Sequence, residues 1–262
     1  MTTQYNQLIE DWVGDKVIAQ VEQESKYAER RAQVQAFNAK SKTRKRGMAL
    51  VPLKFGISFT ATHLNQGGAL LVVYMDGSVS CNHGGTEMGQ GLNTKMAQVC
   101  ADGLGISVDH VRITATDSQK VPNASATSAS SGADINGAAI MNATMQMRER
   151  LKPVAARMLG CAEGDVTFAN NEVHGGGKSV PWAKVTHQAW LDRVGLSVTG
   201  FYMTPEIKYD FTTLNGRAFY YYCYGAAVSE VEIDTRTGEW WLKAVDIVHD
   251  VGRSINPALD KG

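Results

Sequence analysis

The segment Leu70-Leu-Val-Val-Tyr-Met-Asp-Gly-Ser-Val-Ser-Cys-Asn-His-Gly-Gly-Thr-Glu-Met-Gly-Gln-Gly-Leu92 does most to define the architecture of this chain. Its first half consists of two β-rich runs around Asp76-Gly77, a dipeptide that is typical of tight hairpin turns. A glycine-rich loop follows, and residues 92–104 then have the apolar spacing of a helix, for which Asn93 or Thr94 is the predicted N-cap. Two strands, a loop and a helix therefore succeed one another directly.

The residues before this segment predict a helix and then a strand. From Asp11 to about Lys40, apolar residues recur at spacings near three and four among charged ones, which indicates a helix. The basic run Lys40-Ser-Lys-Thr-Arg-Lys-Arg46 ends this helix. We interpret the run as a solvated linker rather than as a contact for phosphate or RNA. The mostly apolar residues from Gly47 to Thr60 predict a strand.

The residues after the segment alternate between strands and helices. A short strand is predicted at residues 111–116. A long polar loop then leads to an apolar helix that runs from about Gly132 to a new turn or helix at Pro153. Another helix is predicted at residues 182–190, and Thr235-Arg-Thr-Gly238 joins the two strands of a second hairpin.

Hairpins mixed with helices indicate an α+β fold with mixed, largely antiparallel sheets and packed helices. We divide the chain into a helical linker segment, residues 1–46, and one domain, residues 47–262, which we expect to be incomplete at its C-terminus.

The composition excludes several classes of function. Hydrophobic residues make up 44% and charged residues 20% of the 262 residues, and the formal net charge is +0. Nothing in this balance points to nucleic acid or to a lipid surface. No signal-peptide core or membrane-length apolar run is present, which predicts a cytoplasmic protein without a membrane partner. The cysteines form no C-x-x-C pair, so a zinc or iron–sulfur site within this chain is not expected; they are Cys81, Cys100, Cys161 and Cys223.

The first candidate site is the glycine-rich run Gly84-Gly-Thr-Glu-Met-Gly-Gln-Gly-Leu92. Its spacing matches neither a dinucleotide fingerprint nor a P-loop. Backbone amides at the start of a helix attract anions, and Gln90 offers a donor and an acceptor to a heterocycle or phosphate. Taken alone, the run is equally compatible with a structural loop. Glu87 is a conceivable general base, but hydrogen bonding to loop amides is at least as well supported.

The second candidate site is Val121-Pro-Asn-Ala-Ser-Ala-Thr-Ser-Ala-Ser-Ser-Gly-Ala-Asp134. This run of small residues leads into a helix that is apolar on most sides, which suits a buried anionic ligand. A flexible linker is the alternative. The loop lies between a strand and a buried helix, with a turn at Pro122-Asn123, and this position favours binding.

The third candidate site is Lys54-Phe-Gly-Ile-Ser-Phe-Thr60. An aromatic ring beside a hydroxyl can hold and orient a flat heterocycle. On the residues alone, a core role for Phe59 and a turn role for Thr60 are the favoured interpretation. The six histidines have no metal-ligand spacing and are interpreted as surface or internally bonded residues.

Taken together, these stretches resemble the molybdenum-binding part of xanthine dehydrogenases and xanthine oxidases. The resemblance runs in one order from about Tyr27 to the last residue, and aldehyde oxidases share parts of it. The matching stretches are residues 54–60, 64–66, 76–79, 83–92, 121–123, 199–202 and 246–252.

The resemblance implies roles for individual residues. Gln90 matches the side chain that hydrogen-bonds molybdopterin, and Ala129, Ser130, Ser131 and Gly132 match the loop whose backbone holds this cofactor. Ala129 matches the position nearest to molybdenum. The resemblance further implies that Phe59 stacks on a purine and that Thr60 hydrogen-bonds it.

The resemblance also implies partners and a limit. In the family, electrons pass from molybdenum to 2Fe-2S clusters, FAD and NAD in other domains or subunits, and the assembly is expected to be dimeric. The family's catalytic glutamate lies in a Gly-Glu-Pro-Pro segment that this sequence does not contain. We therefore expect no catalytic residue in this chain and no turnover of xanthine by the chain alone. The alternatives are a piece of an aldehyde oxidase-like molybdenum hydroxylase or a non-catalytic, truncated cofactor-binding chain.

Overall fold

The computed structural model of the chain describes residues 1–121 and 123–261. Pro122, part of the predicted turn, and Gly262, the end of the predicted domain, lie outside the described residues. The helices are α1 (Gly14–Glu24), α2 (Tyr27–Lys40), α3 (Leu92–Leu104), α4 (Gly132–Leu159), α5 (Trp182–Leu191) and α6 (Pro257–Lys261), with 3-10 turns at Thr62–Leu64, Val108–His110 and Glu163–Asp165. The strands are β1 (Arg44–Ile57), β2 (Gln66–Val73), β3 (Val79–His83), β4 (Val111–Ile113), β5 (Thr167–Ala169), β6 (Glu172–Gly175), β7 (Lys178–Pro181), β8 (Ser197–Met203), β9 (Lys208–Asp210), β10 (Asn215–Arg217), β11 (Tyr221–Asp234) and β12 (Trp240–Asp250).

The chain forms two compact units. The first consists of residues 1–57 and 208–254, and the second of residues 58–207 and 255–262. Residue 46, the predicted end of the linker segment, lies inside β1. The division into residues 1–46 and 47–262 therefore stays a prediction about the limits of the cofactor-binding domain.

The first unit is an antiparallel sheet with helices on one face. Its strand order is β1-β11-β12, and β9 pairs with β10 in a separate hairpin. Val17 and Val21, one turn apart on α1, are buried in a cluster with Tyr222, Tyr224 and Val228 of β11. The predicted helix between Asp11 and Lys40 is two helices, because a left-handed residue between them, Lys26 (φ 51°), interrupts the helical backbone.

The basic run that we interpreted as a solvated linker is in fact bonded into this unit. Arg46 donates from Nε to the buried Glu232 carboxylate at 2.9 Å, and its guanidinium lies 4.1 Å from the centre of the Phe37 ring. Arg44 contributes a second, longer bond to Glu232. The interpretation holds for residues 41–43, which join α2 to β1, but not for Arg44 and Arg46, because local charge density does not reveal acidic partners almost two hundred residues away.

The second unit contains the main core. Its four-stranded sheet has the order β4-β3-β2-β8, and β5, β6 and β7 form a separate antiparallel sheet. The helices α3 and α4 pack on the four-stranded sheet, and their buried side chains include Met96, Leu104, Ile140 and Met147. The pairing of β2 with β3 confirms the hairpin predicted at Asp76-Gly77. The mixed, mainly antiparallel α+β architecture confirms the predicted fold class.

One parallel connection places the glycine-rich loop. The strands β3 and β4 are parallel, so the chain leaves β3, crosses through α3 and returns into β4. Residues 84–91, here called the glycine loop, therefore lie between the carboxyl end of a strand and the N-terminus of a helix. Loops in this position are common ligand-binding sites of α/β units.

The helix after the serine-rich run is longer than predicted. It continues through Pro153 to Leu159. Proline removes one intrahelical hydrogen bond, but the turns around it bury Leu151, Val154 and Ala155 in the core, and this burial outweighs the lost bond. None of the described helices is both long and apolar enough to span a bilayer.

Candidate cofactor site

A single carboxylate organises the glycine loop. The backbone amides of Gly89 and Gly91 donate to Glu87 Oε1 at 2.9 and 3.0 Å, and the amide of Asn93 donates to Oε2 at 2.9 Å. The bond from the Asn93 amide contributes most to lowering the pKa of the Glu87 carboxyl, and the bonds from the amides of Gly91 and Gly89 lower it further. The loop-bonding role of Glu87 is thus the one the structure shows, and its carboxylate is held as an anion at the start of α3.

The same geometry corrects the predicted cap of α3. The helix begins after Gly91, whose φ of 75° is left-handed and favours glycine, and neither Asn93 nor Thr94 is its N-cap. Glu87, several residues upstream, accepts the orphan amide instead. A cap at such a distance leaves no short-range spacing signal in the sequence.

Gln90 also bonds within its own loop. Its Oε1 accepts from the amide of Met88 at 2.6 Å, and its Nε2 donates to the carbonyl of Thr86 at 2.9 Å. The side chain is exposed. A carboxamide has two donor hydrogens and two acceptor lone pairs, so these bonds leave capacity for a ligand.

The beginning of the loop is buried and held by an imidazole. His83 Nδ1 accepts the amide of Gly85 at 3.1 Å, whereas its Nε2 is buried without a hydrogen-bond partner among the described residues. Burial lowers the pKa of His83. A neutral ring with its proton on Nε2 fits both observations, so the structure gives His83 a role in shaping the turn.

The serine-alanine loop, residues 123–131, turns into α4 through unusual backbone. Ala129 and Ser130 have φ angles of 56° and 54°, a left-handed region that non-glycine residues seldom adopt. Ser131 is the buried residue before the helix, and the first intrahelical bond is donated by Ile135. The amides of Gly132 and Ala133 precede that bond and therefore have no partner inside the helix.

The two loops are in direct contact. The amide of Thr86 in the glycine loop donates to Thr127 Oγ1 in the serine-alanine loop at 2.8 Å. A Cβ at Gly84 would lie 2.6 Å from the Ala124 Cβ, so the backbones approach more closely than a side chain would allow. Behind them, the buried Asn136 of α4 donates to the carbonyl of Gly132 at 2.7 Å.

The segment that carries Phe59 and Thr60 is fixed by a buried amide. Asn65 Oδ1 accepts the amide of Phe59, and Asn65 Nδ2 donates to the carbonyl of Phe59, both at 2.8 Å. Phe59 and Thr60 are each half-buried, and Ser58 before them is buried with a φ of 131°. The backbone around the ring is therefore held on both sides.

This segment is bonded in turn to the serine-alanine loop. Ser125 Oγ donates to the carbonyls of Leu64 and, at 3.1 Å, of Gln66, and Asn123 Nδ2 donates to Gln66 Oε1 at 3.0 Å. The glycine loop, the serine-alanine loop and residues 58–66, which include Phe59 and Thr60, thus form one hydrogen-bonded arrangement within the second unit, whereas residues 54–57 of the third candidate segment belong to β1 in the first unit.

The space enclosed between these segments is small. Gly84, Thr127, Ser131 and Gly132 are among the residues around a void of about 10 Å³, which is at the lower limit for one water molecule. Neither Gln90 nor Ala129 lines this void.

A cavity of about 1080 Å³ lies elsewhere in the second unit. Its lining includes Asp76, Asp109, His110, Arg112 and Trp190, and none of the predicted site residues. Within residues 1–121 and 123–261, no group of three or more His, Cys, Asp or Glu side chains is placed to hold a metal ion.

Sequence reasoning missed the residues that connect the loops. Asn65 lies in a matching stretch, but no role was assigned to it, and Thr86, Thr127 and Asn136 were not singled out. Asn136 had a signal, because a polar residue that follows Gly132 by one helical turn points toward the same loop. The hydrogen bond between Thr86 and Thr127 left no signal in the sequence, since the two residues are far apart along the chain.

The chain matches a family model described as "Molybdopterin cofactor-binding domain" over residues 20–262. It is 45% identical to xanthine dehydrogenase of Emericella nidulans over 99% of its own length, which is 18% of that enzyme. Identity is 44% with xanthine dehydrogenase of Oryza sativa subsp. japonica and 43% with xanthine dehydrogenase/oxidase of Mus musculus, over 98% and 99% of this chain and again 18% of each relative.

Solved structures share the fold. Quinoline 2-oxidoreductase from Pseudomonas putida 86 superposes on 100% of this chain and 34% of its own, with a TM-score of 0.84 and 23% identity. The Cu,Mo-CO dehydrogenase superposes on 98% of this chain and 33% of its own, with a TM-score of 0.81 and 20% identity. The family match covers more than nine-tenths of the chain and includes all three candidate segments. The chain therefore belongs to the molybdopterin cofactor-binding domain family.

Proposed function

We propose that this chain is the part of a xanthine dehydrogenase that holds molybdopterin and one side of the purine site. The curated relatives named above are xanthine dehydrogenases at 43–45% identity. In the proposal, Phe59 and Thr60 contact the purine, and the cofactor contacts are Gln90, Ala129, Ser130, Ser131 and Gly132, with Ala129 nearest to molybdenum.

The observation that carries the proposal is the connection among the three segments. Thr86 bonds to Thr127, Ser125 bonds to the carbonyl of Gln66, and the neighbouring Asn65 holds the Phe59 backbone. The glycine loop, the serine-alanine loop and Phe59-Thr60, which had been selected separately from the sequence, therefore lie in one unit. A cofactor held by two of them and a substrate held by the third would be neighbours.

The residues present fit an anionic pterin at α4. The amides of Gly132 and Ala133 are directed out of the first helical turn, and anions bind such helix starts. The small side chains of Ala129 and Ser130 allow a ligand to approach the backbone. Asp134 adds a negative charge in the same turn, so backbone amides rather than net charge would hold the phosphate.

At α3 the corresponding position already holds the Glu87 carboxylate. We therefore infer that the glycine loop contacts the cofactor through the remaining hydrogen-bonding capacity of Gln90, and not through the amides at the start of α3.

When bound, molybdopterin supplies the redox-active metal centre at which the substrate is oxidised. The residues of this chain bind and orient. The ring of Phe59 would stack on a flat heterocycle, and the hydroxyl of Thr60 would donate to or accept from its edge. Glu87 is no base in this proposal, since three amides hold its carboxylate.

Other parts of the enzyme would complete the reaction. A xanthine dehydrogenase would carry 2Fe-2S clusters, FAD and NAD outside this chain, and we expect a dimeric, cytoplasmic assembly. The chain alone is expected not to hydroxylate xanthine. The quinoline 2-oxidoreductase and the CO dehydrogenase are only 23% and 20% identical to this chain, so they support its fold and not its substrate.

The test is the molybdenum and pterin content of the assembled enzyme that contains Gln90→Ala. Loss of one neutral hydrogen bond, worth about 0.5–1.5 kcal/mol, predicts roughly 2- to 12-fold weaker cofactor retention. Gln33→Ala is the matched control, because Gln33 is exposed on α2 and its side-chain amide donates to Glu29, one helical turn away. Unchanged molybdenum in Gln90→Ala would count against the assigned contact, and wild-type enzyme without molybdenum would refute the function.

A further inference from the structure

The sheet of the first unit has one covered and one open face. Alternate residues of a strand point to opposite sides. On one side Tyr222, Tyr224 and Val228 of β11 pack against α1. The register pairs Val51 with Ala227, and Ala227 with Ile247, so these three residues share the other side.

This other side, here called the open face, is apolar and exposed. Its nine large side chains range from 36% exposed at Val231 to 66% at Trp240 and Ile247. The nine are Val51, Leu53 and Phe55 on β1, Val231 and Ile233 on β11, and Trp240, Leu242, Val245 and Ile247 on β12. Among the described residues that the register places on this side, the one charged residue is Lys45, opposite Ile233 at the end of the sheet, and its Nζ donates to the carbonyls of Asn38 and Ser41.

The open face has the shape of a shallow trough. The middle of the central strand β11 presents only small side chains, at Cys223, Gly225, Ala227 and Ser229. Larger side chains rise on both neighbouring strands: Leu53 and Phe55 on one side, Val245 and Ile247 on the other. The trough therefore runs along β11.

The exposed area is too large for an ordinary free surface. Nine side chains of this size, each a third to two-thirds exposed, present roughly 700 Å² of apolar surface. The largest apolar patch of a typical monomer is about 300–600 Å², and each partner in a standard interface contributes about 800 Å². The open face is thus the size of one side of an interface.

We propose that the open face is covered by an apolar helix from the part of the enzyme that lies outside this chain, which rests on the function proposed above. Three strands are about 10 Å wide, and a helix is about 10–12 Å in diameter, so one helix laid along β11 fills the trough. The opposite face is already covered by α1 in this manner.

The rest of the enzyme is favoured over a second copy of this chain. The matched part is 18% of xanthine dehydrogenase of Emericella nidulans, so most of that enzyme lies outside it and can supply a helix. If two copies paired through their open faces with aligned strands, the large side chains of β1 and β12 in one copy would contact those of the other. The space above the small side chains of both β11 strands would then stay empty. Protein interfaces of this size are packed as densely as interiors, which disfavours such voids.

The test is photo-crosslinking in the assembled enzyme with benzoylphenylalanine at position 247. The expected result is a crosslink that mass spectrometry maps to an apolar helical segment outside this chain. A crosslink to β1, β11 or β12 of a second copy, or no crosslink to protein, would overturn the proposal. Crosslinking does not need molybdenum. Assembled enzyme that lacks the metal but shows the crosslink would therefore refute the proposed function, whereas the proposal that a helix covers the open face would stand.

Two substitutions test the same surface by charge. Ile247→Lys is expected to reduce the yield of assembled enzyme at least tenfold, whereas Ile247→Leu preserves it. Because Ile247 is 66% exposed in the chain, the isolated Ile247→Lys chain should keep the circular dichroism and the unfolding midpoint of the wild type. Normal assembly of Ile247→Lys would overturn the proposal. So would an assembly defect equally present in Ile247→Leu.

Discussion

Gly85 lies where the glycine loop, α3 and α4 meet, and it tests whether they are packed as described. A Cβ at this position would lie 2.5 Å from Leu92 Cδ2 and 2.7 Å from Asn136 Nδ2. Leu92 is 2% and Asn136 is 6% exposed, so neither side chain can move into solvent. Gly85→Ala therefore forces the buried side chains of Leu92 and Asn136 away from residue 85. This movement displaces the Asn136 side-chain amide, which donates to the Gly132 carbonyl.

The expected cost follows from these contacts. Overpacking of a close-packed interior costs about 1–3 kcal/mol, and loss of the Asn136 bond adds about 0.5–1.5 kcal/mol. Restriction of the unfolded chain by alanine opposes this by about 0.4–1 kcal/mol. We expect Gly85→Ala to lower the free energy of unfolding by about 1–3 kcal/mol, which for a chain of this size is roughly 2–4 °C of Tm per kcal/mol.

Gly164 provides a matched control. A Cβ at Gly164 would meet nothing within 4 Å, and neither Gly164 nor Gly85 has a left-handed φ. Gly164→Ala should therefore leave stability unchanged or raise it slightly. Urea unfolding followed by circular dichroism measures both variants in the full chain. Equal stability of Gly85→Ala and Gly164→Ala would refute the described packing of the two loops.

Phe59→Ala in the assembled enzyme is expected to raise the KM for xanthine about fivefold, since a lost aromatic contact is worth roughly 1 kcal/mol; an unaltered KM and kcat would assign Phe59 to the core. The bonded state of the glycine loop should be complete above the ordinary Glu87 pKa of 4.5 and be lost as pH falls through its lowered value. The amide resonances of Gly89 and Gly91 report this transition, and Glu87→Gln should abolish it. Burial lowers the pKa of His83, so its contribution to stability is constant above 6.5 and decreases as pH falls below that value. A His83→Gln chain with the same pH dependence of unfolding as the wild type would contradict this.

Local signals in the sequence predicted the elements of the site well. The hairpin at Asp76-Gly77, the helix α3 and the second hairpin were predicted at the positions where the structure has them. Each depends on residues that are close in sequence, such as a turn dipeptide or a helical spacing. The continuation of α4 through Pro153 was not predicted, because tertiary burial on both sides of the proline decides it.

The arrangement of the site depends on contacts that sequence patterns do not contain. The left-handed Ala129 and Ser130 occur where the usual signals, glycine and asparagine, are absent. Asn65 is one polar residue among many until the fold places it against the Phe59 backbone. The three segments could therefore be selected from the sequence, whereas the bonds that join them required the structure, and the roles assigned to their residues stay predictions.

The two helix starts in the site use their amides differently, and this difference constrains how a cofactor can bind. At α3, Glu87 supplies a fixed negative charge, and a phosphate placed there would meet a carboxylate. At α4, the chain enters the helix through two left-handed residues, and the amides of Gly132 and Ala133 precede the first intrahelical bond. Under the proposed function, we therefore expect the backbone amides at α4 to hold the anion, and substitutions of side chains there would remove few of its contacts. Variants of the glycine loop should accordingly change the orientation and retention of the cofactor more than the position of its phosphate.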